Sequence, residues 1–473
     1  MRKSRPGIGI IFAGIGSAVL ISCGTTPTQS TGVRDPGLRM GSAGAGAALP
    51  GLTADETAFF QDGLARFVQI EAVTGSQNNG LGPRFNSVSC QSCHAQPSIG
   101  GSSPATNPLI AVATLNGAKN AVPWFIAKNG PVREVRFKLN PDGTNDGNVH
   151  NLFVVTGRSD AAACNLAQPD FRPAGHPLTG EGGNRNIIFR IPTPVFGGGL
   201  IESIPDSAIL ANMQADANLK KSLGILGHPN AHLSGNTNRS ANDGTITRFG
   251  WKAQDKSLLM FAGEAYNVEM GVTNQLFPQE RDETAGCAFN PTPEDTLNFT
   301  TPTPSKPSQN TAVPSDIEAF ADFMRMLAPP TPSADTPSIM KGRAEFTTVG
   351  CIACHTRSFT TGKAIASGAS AGRSAALSNQ PAILWSDLLV HHMGEVLADG
   401  ITQGGAGPDE FRTAPLWGLG QRVFFLHDGR TADLVAAIEA HRSHGSEANA
   451  VIDHFNGLSI PQQQDIINFL RSL

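Results

Sequence analysis

Two short segments of the sequence have the residue types and spacing of a covalent cofactor attachment site. Residues 90–94 read CQSCH and residues 351–355 read CIACH. Two residues between the cysteines bring both sulfurs to one edge of a porphyrin, where each can add to a vinyl group, and the next imidazole reaches the iron. The sequence therefore predicts two covalently bound c-type haems, held by Cys90, Cys93, His94, Cys351, Cys354 and His355.

Zinc binding and disulfide redox chemistry are the alternative uses of such cysteines. A structural zinc site needs four converging ligands, whereas each pentapeptide carries its own histidine and the two lie far apart in the chain. A thioredoxin-like use needs a strand–helix–strand setting, which neither segment has. The repeated pentapeptide therefore favours haem.

Three cysteines lie outside the two motifs. Cys164 and Cys287 can form a disulfide in an oxidising compartment or remain two buried thiols, and both alternatives stay open. Cys23 follows a basic start and an uncharged, largely apolar stretch at residues 7–21. That stretch is too short for a comfortable membrane span and is typical of an export signal.

The segment that ends at Cys23 resembles a bacterial lipobox. We predict a lipoprotein signal peptide over residues 1–22, lipid attachment at Cys23, and a flexible tether over residues 23–50, which are rich in Thr, Gly, Ala and Pro. An ordinary secretory peptide is the alternative. The expected location is the periplasm or cell envelope, with the lipid as the sole membrane anchor.

The composition narrows the possible partners and folds. The formal net charge is −4 and no basic block occurs, so nucleic-acid binding is not expected. Charged residues make up 16% of the chain, and 52 Gly with 33 Pro favour a loop-rich structure.

Helix signals enclose each haem motif. Apolar periodicity and the N-cap residues Thr53, Ser315 and Ser459 predict helices over residues 54–70, 315–327, 339–355 and 459–473. In the second motif, the helix is expected to run into residues 351–355. The pairing of an N-terminal and a C-terminal helix around a haem resembles a class I cytochrome c domain.

These elements predict two haem modules, over residues 51–330 and 338–473. Apolar runs at residues 132–139 and 149–156 predict strands within a long insertion of the first module. The predicted fold is mainly α, with two cytochrome c-like haem domains, the first carrying a loop-rich insertion with a small β-sheet.

An internal repeat supports a duplicated module. Residues 190–199 (RIPTPVFGGG) echo residues 412–420 (RTAPLWGLG), and the segment that begins at Trp251 parallels the one that begins at His427. Chance similarity between Gly- and Pro-rich loops is the alternative.

The sequence resembles the bacterial di-haem cytochrome c peroxidases and, more closely, their di-haem oxidoreductase branch. The segments that carry the resemblance are residues 81–101, 190–206, 257–271, 388–400 and 411–430, which include LGPRFNSVSCQSCHAQPSIGG, SLLMFAGEAYNVEMG and FRTAPLWGLGQRVFFLHDGR. Together they span nearly all of the chain that follows the tether.

The resemblance implies a division of labour between the haems. The N-terminal haem, ligated by His94, would react with peroxide at an open face, and the C-terminal haem, ligated by His355, would transfer electrons. Met393 lies in the region that supplies the second axial ligand, and a thioether there raises the reduction potential. His391 and His392 compete for this role, and a methionine that only packs is the bland alternative.

The resemblance also implies an acid–base residue over the open haem face. Glu269, within NVEMG, matches it, and a carboxyl group in an apolar pocket would have a raised pKa. Glu264 is the second candidate, and a solvated or ion-paired glutamate is the alternative for both. The glutamine that usually precedes this glutamate is missing, since Met260 and Phe261 stand there.

We therefore expect a peroxidase-like enzyme that takes electrons from a small cytochrome c or copper protein and reduces hydrogen peroxide or another small oxidant. A non-catalytic electron-transfer cytochrome and a lipoprotein of a haem or metal uptake assembly are the competing functions. A structural calcium ion stays open. Trp417 can bridge the haems or simply pack in the core. His427 is expected either to contact the iron ligands from behind or only to pack, and His441 and His454 are expected at the surface or as caps of the last helices.

Overall fold

Short helices dominate the fold and carry most of the predicted site residues. A computed structural model describes residues 32–83, 87–117, 122–138, 158–162, 164, 187–230, 246–279, 286–296, 298–299, 312–363 and 374–473. The helices within these ranges are α1 Ala54–Phe67, α2 Cys90–Cys93, α3 Leu109–Leu115, α4 Gly198–Glu202, α5 Asp206–Gln214, α6 Ala217–Leu223, α7 Leu258–Met270, α8 Asp316–Met326, α9 Pro337–Thr348, α10 Gly394–Leu397, α11 Leu434–Glu439, α12 Asn449–Asn456 and α13 Ile460–Ser472. The mainly α class is confirmed.

The strands form two-stranded antiparallel pairs, joined as β1–β2, β3–β4, β5–β6 and β7–β8. They are β1 Glu134–Phe137, β2 Ile187–Arg190, β3 Asn298–Phe299, β4 Ala312–Val313, β5 Phe359–Thr360, β6 Pro381–Ala382, β7 Val390–His392 and β8 Glu410–Arg412. The predicted strand at residues 132–139 is thus confirmed over four residues, whereas the one at 149–156 lies outside the described residues.

Side-chain caps begin the helices where the sequence predicts them. Thr53, Ser315 and Ser459 each accept a hydrogen bond from the backbone three residues on, and the side chain at that third position bonds back to the cap. This reciprocal box satisfies backbone N–H groups that have no partner within the helix. The predicted starts of α1, α8 and α13 are confirmed.

Both haem motifs lie at helix ends rather than within long helices. Helix α9 ends at Thr348, and Gly350, with a φ of 104°, turns the chain into a 3₁₀ turn at Cys351–Ala353. The predicted helix over 339–355 is therefore wrong at its C-terminal end, because a left-handed residue cannot continue a right-handed helix. In the first motif, His94 follows the single turn of α2.

The two helix pairs around the motifs share one packing arrangement. A Cβ atom at Gly63 of α1 would overlap the carbonyl oxygen of Ala319 in α8, and one at Gly342 of α9 would overlap that of Asp465 in α13. Glycine therefore allows each pair of helices to cross at backbone contact.

One turn after each glycine, a phenylalanine contacts the motif histidine. The ring centroids of Phe67 and His94 lie 6.0 Å apart, as do those of Phe346 and His355. Phe67 also packs on Phe323, and Phe346 on Phe469, with ring centroids 4.8 and 5.4 Å apart. Each motif histidine is thus fixed against the same kind of helix crossing.

The internal repeat has a structural counterpart. Gly197 and Gly418, at matching places in the two copies, both adopt positive φ and begin a short helical turn. The loops around Trp251 and His427 match as well, since each begins with a Phe whose N–H donates to a carbonyl six residues on, Phe249 to Asp255 and Phe425 to Thr431. The duplicated segments therefore fold alike.

The two copies are joined to each other by reciprocal backbone hydrogen bonds. The N–H of Ile191 donates to the carbonyl of His427 at 2.8 Å, and the N–H of Arg412 donates to the carbonyl of Trp251 at 2.9 Å. The strand end of each copy thus binds the loop of the other.

Two compact units divide the chain, Met1–Gly32 and Val33–Leu473. The predicted signal peptide and Cys23 lie outside the described residues. Residues 33–50 belong to the second unit, where Asp35 forms a buried ion pair with Arg471 and Leu49 donates a backbone hydrogen bond to Met326. The prediction of a flexible tether is therefore wrong for residues 33–50, because specific bonds offset their low apolar content. The boundaries at 51–330 and 338–473 stay predictions.

A disulfide joins Cys164 and Cys287, which decides the alternative left open by the sequence. Within the described ranges, no helix is both long and apolar enough to cross a membrane.

Replacing Gly342 with alanine tests the close helix crossing. We expect Gly342→Ala to lower the free energy of unfolding by about 1–3 kcal/mol, despite the higher helix propensity of alanine, because α9 and α13 must move apart. Chemical denaturation measures this free energy of unfolding. Gly457→Ala is the matched control, since Gly457 is exposed with a φ of −76°, and should change stability by less than about 0.5 kcal/mol. Equal effects of the two variants would contradict the proposed crossing.

Candidate haem sites

A cavity of about 780 Å³ lies beside the first motif. Cys90, Cys93 and His94 all line it, so the attachment and ligand side chains face one space. Helix α7 supplies a second wall, and α1, α8 and β1 contribute further lining residues. Residues from these elements that line the cavity are Phe67, Glu134, Phe261, Ala262, Ala265, Tyr266, Glu269, Met270, Phe320 and Met324.

A hydrogen bond fixes the tautomer of each motif histidine. Nδ1 of His94 lies 3.0 Å from the carbonyl oxygen of Gly101, and Nδ1 of His355 lies 3.0 Å from that of Trp385. A carbonyl can only accept, so Nδ1 carries the proton and Nε2 keeps its lone pair. Burial lowers the pKa of both imidazoles to about 4. Both rings are therefore neutral and suited to bind a metal through Nε2.

Glu269 and Glu134 bring two carboxyl groups to the first cavity. Burial, together with the neighbouring Glu134, raises the pKa of Glu269 to about 8, against the opposing effect of Arg136. Glu134 forms an ion pair with Arg136, with 2.5 Å between Oε1 and Nε. The raised pKa expected for Glu269 agrees with this environment.

Sequence reasoning missed Glu134, although a signal was present. Residues 134 and 136 of a strand share one face, so an acid and a base at this spacing predict an ion pair on the same side of β1. The strand alone could not indicate that this face turns toward the first motif.

Glu264 occupies a different place from Glu269. It is not among the residues that line the first cavity. Its Oε2 accepts a long hydrogen bond of 3.4 Å from Gln254, and it lies beside Asp255, whose pKa is raised well above its ordinary value by burial and by Glu264. The geometry brings Glu269, and not Glu264, to the motif.

A larger cavity of about 1380 Å³ lies beside the second motif. Cys351, Cys354 and His355 line it, as in the first cavity. Further potential ligands on its wall are His391, Met393, His427 and His441. The wall is otherwise mostly apolar.

His391 and His392 are poorly placed as ligands. Both ring nitrogens of His391 bind carboxylates, Nε2 to Asp387 at 3.0 Å and Nδ1 to Glu447 at 2.8 Å. The exposed ring of His392 pairs with Asp409 and does not line the cavity. Met393, His427 and His441 remain on the cavity wall, and the ring of His427 stacks on that of Phe411 with centroids 4.3 Å apart.

His441 follows α11, and its ring bonds to a carbonyl of the last turn, so the capping role expected from the sequence is confirmed. The ring also lines the second cavity. Its Nδ1 donates to the carbonyl of Ala437 at 2.8 Å, which leaves Nε2 with its lone pair, as in His94 and His355. The sequence carries no signal that His441 lines this cavity, because a histidine after a short helix is common. The assignment of Met393 stays a prediction.

Two arginines provide positive charge in the second cavity. Arg412 and Arg422 are buried, and within the described ranges no carboxylate lies at ion-pair distance from either. Burial lowers the pKa of both to about 10, and the neighbouring Arg422 contributes to the shift of Arg412. Buried cations without an acidic partner favour an anionic ligand group at this wall.

A third cavity of about 570 Å³ shares lining residues with both of the others. Val195 and Phe261 also line the first cavity, and Trp251 and Arg412 also line the second. Trp417 lies on its wall and is buried, so the structure is compatible with both roles that the sequence left open.

The only cluster of three possible metal ligands within the described ranges is Cys354, Asp387 and His391. A thiol and an imidazole are not the oxygen ligands that calcium prefers, and Cys354 belongs to the second motif. A calcium site therefore gains no support there and stays a prediction.

A comparison with known protein families tests the resemblance drawn from the sequence. Residues 183–473 match the family described as "di-haem oxidoreductase, putative peroxidase". The chain belongs to this family. The matched range includes the second motif and Glu269, whereas residues 90–94 precede it. The resemblance drawn from the sequence is confirmed at the level of the family.

Two solved structures are similar to parts of the chain. Hydrazine synthase from Kuenenia stuttgartiensis is 19% identical with a TM-score of 0.22, and the match covers 34% of this chain and 56% of that one. A MauG-like protein associated with microbial copper homeostasis is 15% identical with a TM-score of 0.27, and the match covers 66% of this chain and 95% of that one. No curated protein sequence matches the chain.

The residues present fit the haems that this family implies. In each motif, two cysteines and a neutral histidine line one apolar cavity. The unpaired arginines of the second cavity match the carboxylates of haem propionate groups. Both cavities therefore offer the cysteines and the neutral histidine that a c-type haem requires, and the second also offers positive charge for the propionate groups.

Removing the negative charge of Glu134 tests the electrostatics of the first cavity. We expect Glu134→Gln to lower the pKa of Glu269 by about one unit, because a neighbouring carboxylate no longer opposes its ionisation. Infrared titration of the protonated carboxyl band, identified by its loss in Glu269→Gln, measures the shift. Glu439→Gln, at an exposed position, should leave the band unchanged. An unaltered midpoint in Glu134→Gln would disprove the coupling.

Proposed function

We propose that this protein is a di-haem c-type oxidoreductase that reduces peroxide at the N-terminal site with electrons that enter at the C-terminal site. The observation that carries the proposal is the placement of Glu269 and His94 on the wall of one cavity beside Cys90 and Cys93. A cavity with a metal ligand on one wall and a carboxyl group of raised pKa on another suits acid–base chemistry on a small ligand.

The proposed haem attachment uses the thiols of each motif as thioethers and the Nε2 atoms of His94 and His355 as iron ligands. When bound, haem supplies electron transfer and the reaction of iron with peroxide. The protein then has to position the substrate, exclude water and move protons.

Glu269 is the proposed proton carrier. In its basic form it takes a proton from one peroxide oxygen and returns it to the other, so that the bond between the oxygens breaks with water as the leaving group. The net reaction consumes one peroxide, two protons and two electrons and forms two waters. A pKa near 8 leaves the carboxyl group able to exchange protons in the neutral range.

A pure electron-transfer function is the second candidate, and Phe261 favours it. This residue stands where the related peroxidases usually carry a glutamine, and its apolar ring lines the first cavity. A cavity with fewer hydrogen-bond donors stabilises bound peroxide less well.

Stopped-flow absorption spectroscopy of the half-reduced protein with hydrogen peroxide tests the proposed function. We expect rapid oxidation of the haem bands and a loss of about 10²- to 10⁴-fold in kcat/KM for peroxide in Glu269→Gln. The rate in the wild type should rise with pH toward about 8, because the basic form of Glu269 is the active one. Glu439→Gln is the control. If peroxide leaves the haem bands of the half-reduced protein unchanged, the result would support electron transfer alone.

His441 is the proposed sixth ligand of the C-terminal haem, with Met393 as the alternative. The bond from Nδ1 of His441 to a backbone carbonyl matches that of both motif histidines. We expect His441→Ala to give a high-spin C-terminal haem in the oxidised protein and Met393→Leu to leave it low-spin. Electron paramagnetic resonance distinguishes the two states. The reverse result would assign Met393.

The remaining proposals concern organisation, location and partners. Residues 51–330 and 338–473 would form two cytochrome c-like domains, an arrangement supported by the matching crossings at Gly63 and Gly342. The export signal predicted over residues 1–22 supports a periplasmic or envelope location with lipid at Cys23, which mass spectrometry of the processed N-terminus would detect or refute. The electron donor would be a small cytochrome c or copper protein.

A further inference from the structure

Tyr266 is the single tyrosine of a chain that contains 25 phenylalanines. It lies in α7, one turn before Glu269, and lines the first cavity. The other aromatic side chains on that wall are phenylalanines, at positions 67, 261 and 320. A buried hydroxyl is costly unless it is hydrogen-bonded, so packing alone would favour phenylalanine here as well.

The phenol of Tyr266 has a proton acceptor in place. Its oxygen donates a hydrogen bond to Oδ2 of Asp316 at 3.0 Å. Tyr266 itself is 4% exposed, whereas the side chain of Asp316 is 21% exposed. The other oxygen of Asp316 binds Nη1 of Arg66 at 2.6 Å, and Arg66 pairs with the half-exposed Asp62 at 3.4 Å. A chain of polar contacts thus leads from the cavity to the protein surface.

The environment keeps the phenol protonated until it is oxidised. Burial and the nearby carboxylates of Asp316 and Glu71 raise the pKa of Tyr266 well above its ordinary value. Oxidation of such a phenol is favourable only when its proton leaves with the electron, and a carboxylate at hydrogen-bond distance can take that proton.

We propose that Tyr266 is a redox-active residue that carries an oxidising equivalent from the N-terminal haem cavity toward the surface near Asp316. The proposal rests on the proposed peroxide reaction, which supplies the oxidant. Tyr266 gives one electron to the peroxide-oxidised haem centre and its phenolic proton to Oδ2 of Asp316. The O–H bond breaks, a neutral tyrosyl radical remains, the carboxylate becomes a carboxylic acid, and the centre is reduced by one electron.

The radical would serve when electrons from the C-terminal site arrive too slowly. Peroxide withdraws two electrons, and a tyrosine on the cavity wall can supply the one that is missing. The same residue would permit oxidation of a molecule bound outside near Asp316, without its entry into the cavity.

Because the chain has one tyrosine, isotope labelling reports on a single residue. The complete di-haem protein is produced with ring-deuterated tyrosine, mixed with hydrogen peroxide in its fully oxidised and half-reduced forms, and frozen within milliseconds for electron paramagnetic resonance. We expect a free-radical signal whose hyperfine splitting narrows with deuterated tyrosine, is unchanged by deuterated tryptophan, and is lost in Tyr266→Phe. Asp316→Asn keeps a hydrogen-bond acceptor but removes the carboxylate, so the radical yield should fall.

The outcomes separate this inference from the proposed function. A radical that responds to the tryptophan label instead, or haem bands that react with peroxide without any tyrosine signal, would overturn the role of Tyr266 and leave peroxide reduction intact. An unchanged radical yield in Asp316→Asn would show that Asp316 does not accept the phenolic proton. Haem bands that do not respond to peroxide would overturn the proposed function itself. The labelled wild type needs no substitution, so the test does not depend on how a variant folds.

Discussion

The reciprocal hydrogen bonds between the two repeat copies set the geometry on which both sites depend. Ile191 binds the loop of His427 while Arg412 binds the loop of Trp251, and the two loop rings lie edge to face with centroids 6.4 Å apart. These two bonds hold the strand end of each copy against the loop of the other copy. The third cavity, which Trp251 lines, shares wall residues with both motif cavities.

Each copy holds its motif histidine through the same local arrangement. A glycine lets two helices cross at backbone contact, and the phenylalanine one turn later packs on the ring of the motif histidine. The carbonyl that accepts from Nδ1 comes from a loop, at Gly101 in one copy and Trp385 in the other. Orientation and tautomer are therefore fixed by different parts of the chain, which makes the ring rigid before any metal binds.

Local signals in the sequence predicted the local features of this fold. The caps Thr53, Ser315 and Ser459 depend on neighbouring residues only, and the structure confirms them. The break at Gly350 could have been anticipated from its position after α9. The attachment of residues 33–50 depends on Arg471, at the far end of the chain, and no periodicity within the segment predicts such a contact.

The site residues likewise fall into those that a local motif predicts and those that only the tertiary fold places. Glu269 follows from a motif, but the contribution of Glu134 depends on how the β1–β2 pair turns toward α7, and that of His441 on the angle at which the chain leaves α11. Both are long-range results of packing. A type and a spacing indicate which chemistry a residue can perform, whereas the tertiary fold decides which cavity it enters.

The two cavities differ in the titratable and charged side chains on their walls, and this asymmetry would suit two different tasks. The first cavity has the carboxyl group of Glu269, which can bind and release a proton, beside the ion pair of Glu134 with Arg136. The second has Arg412 and Arg422, whose fixed positive charges favour the reduced, less positive state of a metal centre. An electron is therefore better stabilised beside the arginines, whereas a reaction that consumes protons is better served beside the glutamates. Duplication supplies two equivalent positions for a histidine, and the side chains that differ between the copies decide what each can do.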